Sequence, residues 1–249
     1  MPLEQTSSSH LKEQALRVAQ ATLNLLFPPR CVVCGRVGAE LCSPCLQSFT
    51  RLGESICPVC GVWQEGAGLC PRCMTWRPAF HQMRSAYRFE GGIRKAIHAL
   101  KYEGRRGAAG PLAEATALVL TPDSRDMALC AVPLHVKRQA ERGYNQSDLL
   151  AQELARYWGM PYLGEGAVQR SRETSPQVGL DFAARQANVY QAFAAQPERV
   201  RGRSIILVDD VCTTGATLDA CAQALLMAGA VSVSAVTVAR ALKLEPPDR

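Results

Sequence analysis

Hydrophobic positions fall into three regimes along this chain. Between residues 10 and 27 they recur at helical spacing, at Leu11, Ala15, Val18, Leu25 and Leu26 with Thr22 on the same face, and Pro28-Pro29 ends the run. Residues 30–75 are dense in Cys, Gly and Pro and show almost no periodicity. Such a segment buries too little apolar surface to fold unaided and needs a staple. From about residue 83 strands and helices alternate. Residues 85–89, 128–134, 204–208 and 231–238 read as strands; 91–102, 111–120, 145–157 and 217–227 read as helices, the last stopped by Gly229. Unbroken apolar strands alternating with helices predict an α/β domain, a mostly parallel sheet with flanking helices. The expected organisation is an N-terminal helix over 1–29, a Cys-rich module over 30–76 and an α/β domain over 77–249.

The chemistry of the middle regime is in its cysteines. Eight of the 11 form four CxxC pairs: Cys31 with Cys34, Cys42 with Cys45, Cys57 with Cys60, and Cys70 with Cys73. Two intervening residues let both thiolates of a pair reach one ion from a tight turn, and Gly35 and Gly61 follow two of the pairs where such a turn needs positive φ. Four thiolates around a tetrahedral ion is the structural zinc arrangement, whose binding energy would stand in for the missing core. About two Zn2+ ions are therefore expected. Sequential pairing makes one site of Cys31, Cys34, Cys42 and Cys45 and another of Cys57, Cys60, Cys70 and Cys73. A cross-brace would interleave them. Sequential pairing closes shorter loops and is favoured. A closed four-cysteine site leaves no open coordination position, so no catalysis is assigned to the metal.

The strand at 204–208 leads into Asp209-Asp210-Val211-Cys212-Thr213-Thr214-Gly215-Ala216-Thr217. Open α/β sheets bind ligands beyond the carboxyl ends of their strands. Backbone N–H groups of a loop entering a helix attract a phosphate, threonine hydroxyls add donors, and Gly215 allows close approach. Two adjacent carboxylates cannot bind phosphate; they suit neighbouring sugar hydroxyls or a divalent ion. A ribose 5-phosphate satisfies both ends of the loop. Asp209, Asp210, Thr213, Thr214, Gly215, Ala216 and Thr217 are therefore candidate ligand residues. Cys212 within the loop is expected to be a small buried side chain, with an oxidation-sensitive thiol as the alternative.

The loop resembles the diphosphoribosyl-binding signature of type I phosphoribosyltransferases. The wider order is Pro-Pro-Arg-Cys before the Cys-rich ribbon, Leu100-Lys101-Tyr102-x-Gly104, Val132-Pro133-Leu134-His135 with Arg138, Arg142-Gly143-Tyr144-Asn145-Gln146, Pro176-Gln177, Arg185 and Asn188, then the loop. Over nearly the whole chain this is similar to the ComF family of competence and DNA-utilisation proteins. The resemblance implies a double zinc ribbon joined to a type I phosphoribosyltransferase-like domain. It also implies phosphoribosyl diphosphate bridged by Mg2+ as ligand, and single-stranded DNA and DNA-uptake proteins as partners. The diphosphate would be held by the loop after an earlier strand, where Lys137, Arg138 and Arg142 lie; Lys101 is counted with them. Asn145 and Gln146 are either part of that block or only the start of a helix. Arg172, Thr174 and Gln177 occupy the chain position of a closing loop. Purine-salvaging relatives carry an acid where this chain has Thr213, so efficient transfer to a purine is not expected. Asp219 falls in the following helix, and Asp181 and Glu173 lie in another segment.

Charge and hydropathy narrow the setting. The net charge of +6 permits anionic ligands without demanding them. No apolar run approaches the roughly 20 residues of a membrane span, residues 1–30 carry no signal-peptide pattern, and clustered CxxC pairs suit a reducing compartment. A cytoplasmic protein is expected. The basic stretch Arg94, Lys95, Lys101, Arg105 and Arg106 offers Tyr102 as its one aromatic neighbour for a nucleobase.

Overall fold

A computed structural model describes residues 28–170 and 192–242. The helix expected over 10–27 and the candidates Arg172, Thr174, Gln177, Arg185 and Asn188 lie outside those residues.

Four strands, β1 (Met83–Arg88), β2 (Ala128–Ala131), β5 (Ser204–Cys212) and β6 (Ser232–Arg240), form one parallel sheet in the order β1-β6-β5-β2. Side chains of a strand alternate between faces, and the core divides accordingly. Leu129, Ile206, Val208 and Val238 join one cluster, with α3 (Gly91–Tyr102), α4 (Ala109–Val119) and α6 (Gln146–Trp158). Cys130, Ile205, Leu207 and Val233 join the other, against α8 (Ala216–Met227). Helices on both faces explain why β5 and β6 read as unbroken apolar runs.

The Cys-rich module straddles this sheet. Its first half, with short helix α1 (Ser43–Gln47), joins the α3/α4/α6 core through Cys31, Leu41, Cys45 and Phe49. Its second half, with α2 (Pro71–Thr75), joins the α8 core through Cys57, Cys60, Cys70 and Cys73. The connection passes along the outer edge of β1. There Leu52 N donates to Ala86 O at 3.1 Å and Arg88 N to Thr50 O at 2.9 Å. The opposite edge, β2, is covered by residues 161–163, where Leu129 N donates to Pro161 O and Leu163 N to Leu129 O. Neither edge presents an open ladder, the usual liability of a sheet.

Several elements depart from the sequence pattern. The strand expected over 128–134 ends at Ala131, and His135 caps a helix α5 (Val136–Arg142). That helix buries no residue, so it has no apolar face for periodicity to reveal. A hairpin of β3 (Val168–Arg170) and β4 (Phe193–Ala195), followed by the single turn α7 (Pro197–Val200), is too short to register as alternation. The strand expected to stop at 208 runs on to Cys212, paired with β6 as far as Arg240. Asp209 and Asp210 thus belong to the last turn of an interior strand rather than to the loop beyond it.

Candidate functional site

The site is built where β5 leaves the sheet. Ile205, Ile206, Leu207 and Val208 are at most 2% exposed, and the ladder with β6 continues through Asp209, so the backbone of the acidic pair is held by the sheet. Asp209 Oδ1 accepts from Ser147 Oγ at 2.7 Å and from Asp210 N at 2.9 Å. Asp210 Oδ1 is 2.7 Å from Lys101 Nζ, and Asp210 Oδ2 is buried with no hydrogen-bond partner among the described residues. A buried carboxylate oxygen left without a donor is costly unless a ligand or cation completes it.

Beyond Cys212 the chain turns through Thr213 and Thr214 to Gly215, at φ +81°, which starts α8. This left-handed conformation is nearly free for glycine and strained for a residue with a Cβ. Thr214 Oγ1 accepts from Ala216 N at 3.4 Å, Thr213 is exposed and Thr217 half-buried. The first-turn N–H groups of a helix lack intrahelical acceptors and carry the positive end of its dipole. Loop and helix start thus offer donors suited to an anion beside two carboxylates suited to hydroxyls or a cation.

Burial, and then the Asp210 charge, push the Asp209 carboxyl up to about 7, while Lys101 and the Ser147 hydroxyl oppose the shift. Burial works against the Lys101 ammonium, but the Asp210 carboxylate outweighs it and holds the lysine charged. For Asp209 the folded pKa lies above the ordinary carboxylate value, so its contribution to stability is full below that value and is lost as pH rises through about 7. In the ligand-free protein Asp209→Asn should flatten the fall of Tm between roughly pH 4 and pH 7. Thermal melts with the same slope in both proteins would contradict this.

The structure gathers some of the remaining candidates and separates others. Lys101, Arg138 and Arg142 line one cavity of about 550 Å³ with Tyr102, Gly104, Glu141 and Tyr144. The Arg142 guanidinium stands 5.3 Å from the Tyr102 ring centre and also donates to Gln146 Oε1. Lys137 is exposed on α5 and does not line that cavity. Asn145 is the N-cap of α6, accepting from Ser147 N at 3.0 Å while its amide donates to Val132 O at 3.0 Å. Cys212 is 2% exposed, and burial pushes its thiol up. Asp219 is also buried, accepting from Ala79 N at 2.7 Å, so it faces structure rather than a ligand.

Residues that no motif marked complete the picture. Ser147 holds Asp209. A second cavity, of about 430 Å³, lies between the end of β2 and the β3–β4 hairpin and includes Asn145, Asp148, Glu165 and Gln169. Burial and the Glu165 charge push Asp148 up to about 6, and Tyr162 and Gln152 both donate to it. Asp and Tyr at these positions carry no local signal; the fold alone brings them together.

The eight clustered cysteines form two sets, Cys31, Cys34, Cys42, Cys45 and Cys57, Cys60, Cys70, Cys73, with the sulfurs of each within 4.8 Å of one another. This is the sequential pairing. Burial raises the Cys31 and Cys57 thiols, but backbone N–H donors outweigh it and bring each down to about 6. Burial and the neighbouring sulfurs drive Cys45 and Cys73 upward. Four sulfurs this close cannot all ionise without a cation between them, and a divalent ion removes that conflict. The two sets fit structural zinc. Protein purified without chelator should carry about two zinc ions per chain by elemental analysis, and Cys60→Ser about one; wild type free of zinc would refute the assignment.

Two family descriptions match this architecture: "Double zinc ribbon domain" over residues 22–74 and "Phosphoribosyl transferase domain" over residues 145–249. The DNA utilization protein YhgH of Escherichia coli (strain K12) is 34% identical over 209 residues, which cover 81% of this chain and 91% of that protein. Competence protein ComFC of Bacillus subtilis (strain 168) is 29% identical over 211 residues, 81% of this chain and 84% of that protein. Competence protein F of Haemophilus influenzae is 40% identical over 116 residues, 46% of this chain and 50% of that protein. With its two four-cysteine sets, its parallel sheet and its acidic-to-threonine loop beside these relatives, the chain belongs to the ComF family, a double zinc ribbon on a type I phosphoribosyltransferase-like fold.

Proposed function

We propose that this chain binds phosphoribosyl diphosphate with Mg2+ at the end of β5 and acts in the uptake or utilisation of single-stranded DNA. The observation that carries the ligand reading is the unpartnered, buried Asp210 Oδ2 beside a glycine-capped helix start. The 5-phosphate fits Thr213 to Thr217, the ribose hydroxyls fit Asp209 and Asp210, and the diphosphate fits the cavity of Lys101, Arg138 and Arg142. Asp209 and Asp210 would hold Mg2+, a hard cation suited to oxygen ligands, which would supply counter-charge for the diphosphate. Lys101 pairs with Asp210 at 2.7 Å and fixes its place, and Ser147 keeps Asp209 aimed. The partition into 1–29, 30–76 and 77–249 belongs to the same reading, as does a cytoplasmic location. Among the described residues no helix is long and apolar enough to cross a membrane.

The second cavity supports transfer to an acceptor as an additional reading, because Asp148 and Glu165 line it beside the ribosyl site. A purine acceptor fits poorly: Thr213 stands where purine-salvaging relatives carry an acid, and Asp219 is spent on Ala79. In isothermal calorimetry the wild type should bind phosphoribosyl diphosphate only with Mg2+ present. Asp210→Asn should abolish the magnesium dependence, and Thr214→Ala should weaken binding by about 1.5–3 kcal/mol. Wild type without measurable binding would sink the reading, and release of diphosphate on adding an acceptor would distinguish turnover from binding alone.

The DNA role comes from the names of the relatives, supported by exposed positive charge. Within the stretch 94–106, Lys101 is turned inward to Asp210, Arg105 is paired with Glu40 at 2.7 Å, and Arg106 lies over the Tyr144 ring at 4.4 Å and donates to Gly143 O, which leaves Arg94 and Lys95 facing solvent. Binding to a single-stranded oligonucleotide should fall steeply with salt as counterions are released. Arg94→Glu with Lys95→Glu should weaken it in fluorescence anisotropy and leave ligand calorimetry unchanged; a salt-independent interaction would count against a phosphate-backbone contact.

A further inference from the structure

The two four-cysteine sets are not equivalent neighbours of the site. The first packs on the face opposite α8, and its Glu40 pairs with Arg105 just after α3. The second touches the ligand loop directly. Arg72, held between Cys70 and Cys73 in the first turn of α2, donates from its guanidinium to the Thr214 carbonyl oxygen, 142 positions along the chain. Arg240, at the end of β6 and 3% exposed, donates to Cys60 O at 2.6 Å and stands 3.6 Å from Cys212 Sγ. Just after the ribbon, Ala79 N donates to Asp219 in the first turn of α8.

We infer that Arg72 is a positioning residue for the 5-phosphate loop, so that the second four-cysteine site is a working part of the ligand site. The argument rests on one peptide unit. The Thr214 C=O and the Gly215 N–H belong to the same planar trans peptide and point in opposite directions. Gly215 has no Cβ and sits at φ +81°, so the rotation that would turn this peptide over meets little steric resistance. Pinning the carbonyl on Arg72 holds the Gly215 N–H away from the ribbon, towards the cradle where a phosphate would sit. A loop whose donors are already aimed loses less freedom on binding than one that must turn over first.

The anchor itself is fixed by the metal set. Gly61, at φ +62°, lies so close to β1 that a Cβ there would stand 2.5 Å from Met83 O, and Met83 N donates to Val59 O at 2.8 Å. Four thiolates around one divalent ion leave an excess of negative charge. Arg240 has no carboxylate partner in ion-pair range among the described residues, and that charged set is its natural counterpart. Arg84, which donates to Pro58 O at 2.9 Å, flanks the set as well. The metal orders residues 57–73, these hold Arg72, and Arg72 holds the loop. Coupling of this kind is reciprocal: if the metal site favours ligand binding, the ligand must favour metal retention by the same factor.

The inference builds on the proposed ligand site, and the experiment separates the two. Full-length wild type, Arg72→Ala and Arg72→Lys, each checked for zinc content, are titrated with ribose 5-phosphate and with inorganic diphosphate plus Mg2+. Arg72→Ala should lose about tenfold in affinity for ribose 5-phosphate with diphosphate binding unchanged, and Arg72→Lys, which still carries a donor, should recover part of the loss. Independently, saturating ribose 5-phosphate should tighten retention of one of the two zinc ions of wild type by about tenfold in equilibrium competition with a chelator, an effect absent in Arg72→Ala. Equal ribose 5-phosphate affinity in Arg72→Ala and wild type, or zinc retention indifferent to ribose 5-phosphate, overturns the inference. Failure of wild type to bind ribose 5-phosphate at all overturns it together with the site it builds on.

Discussion

Two adjacent carboxylates at the end of an interior strand are the constraint around which this domain is arranged. Asp209 and Asp210 follow four residues that are almost wholly enclosed; Asp210 is itself buried and Asp209 half-buried. Each must find its partner where the strand ends. Lys101 comes from the last turn of α3 and Ser147 from the first turn of α6. The two helices pack on the same face of the sheet, and both must end within reach of one point on β5. Tyr144 just before α6 donates to Leu100 O just before Lys101, which ties the two helix ends to each other. One bond is still missing, on Asp210 Oδ2. Buried nitrogens among the described residues, Arg88 Nε, Trp158 Nε1 and Arg240 Nε included, also lack hydrogen-bond partners, but Asp210 Oδ2 is the one carboxylate oxygen so left, and it lies beside the start of α8.

How much of this the sequence discloses depends on where each partner lies along the chain. The helix over Gly91–Tyr102 was legible to the residue because its apolar stripe faces the sheet, and α8 was off by one residue at its start. The Cys pairs and the acidic-to-threonine loop were legible because their chemistry is local: a few neighbouring residues carry the whole pattern. Ser147 meets Asp209 across 62 positions, Arg72 meets Thr214 across 142, and Arg240 meets Cys60 across 180. An arginine between two cysteines, or at the end of an apolar strand, looks like any surface cation until the fold supplies its acceptor. The same holds for α5, which buries no residue, and for Arg105, which read as free positive charge and is spent on Glu40.

The ribbon has a structural task before any chemical one. An α/β sheet of four strands in the order β1-β6-β5-β2 leaves β1 with an unpaired edge. Residues 50–52 pair with that edge, and the two four-cysteine sets grip the faces on either side of it. Neither partner is self-sufficient: the Cys-rich module has no core of its own, and the sheet has an edge that invites unwanted pairing. Docking each against the other answers both needs. It also explains why the sets differ in consequence. The chain crosses the β1 edge once, so one set must lie on the face of α3, α4 and α6 and the other on the face of α8. The ligand loop runs from β5 into α8, so only the second set can stand behind it. The contact between the second four-cysteine set and the loop after β5, made by Arg72 on Thr214 O, is thus a consequence of topology.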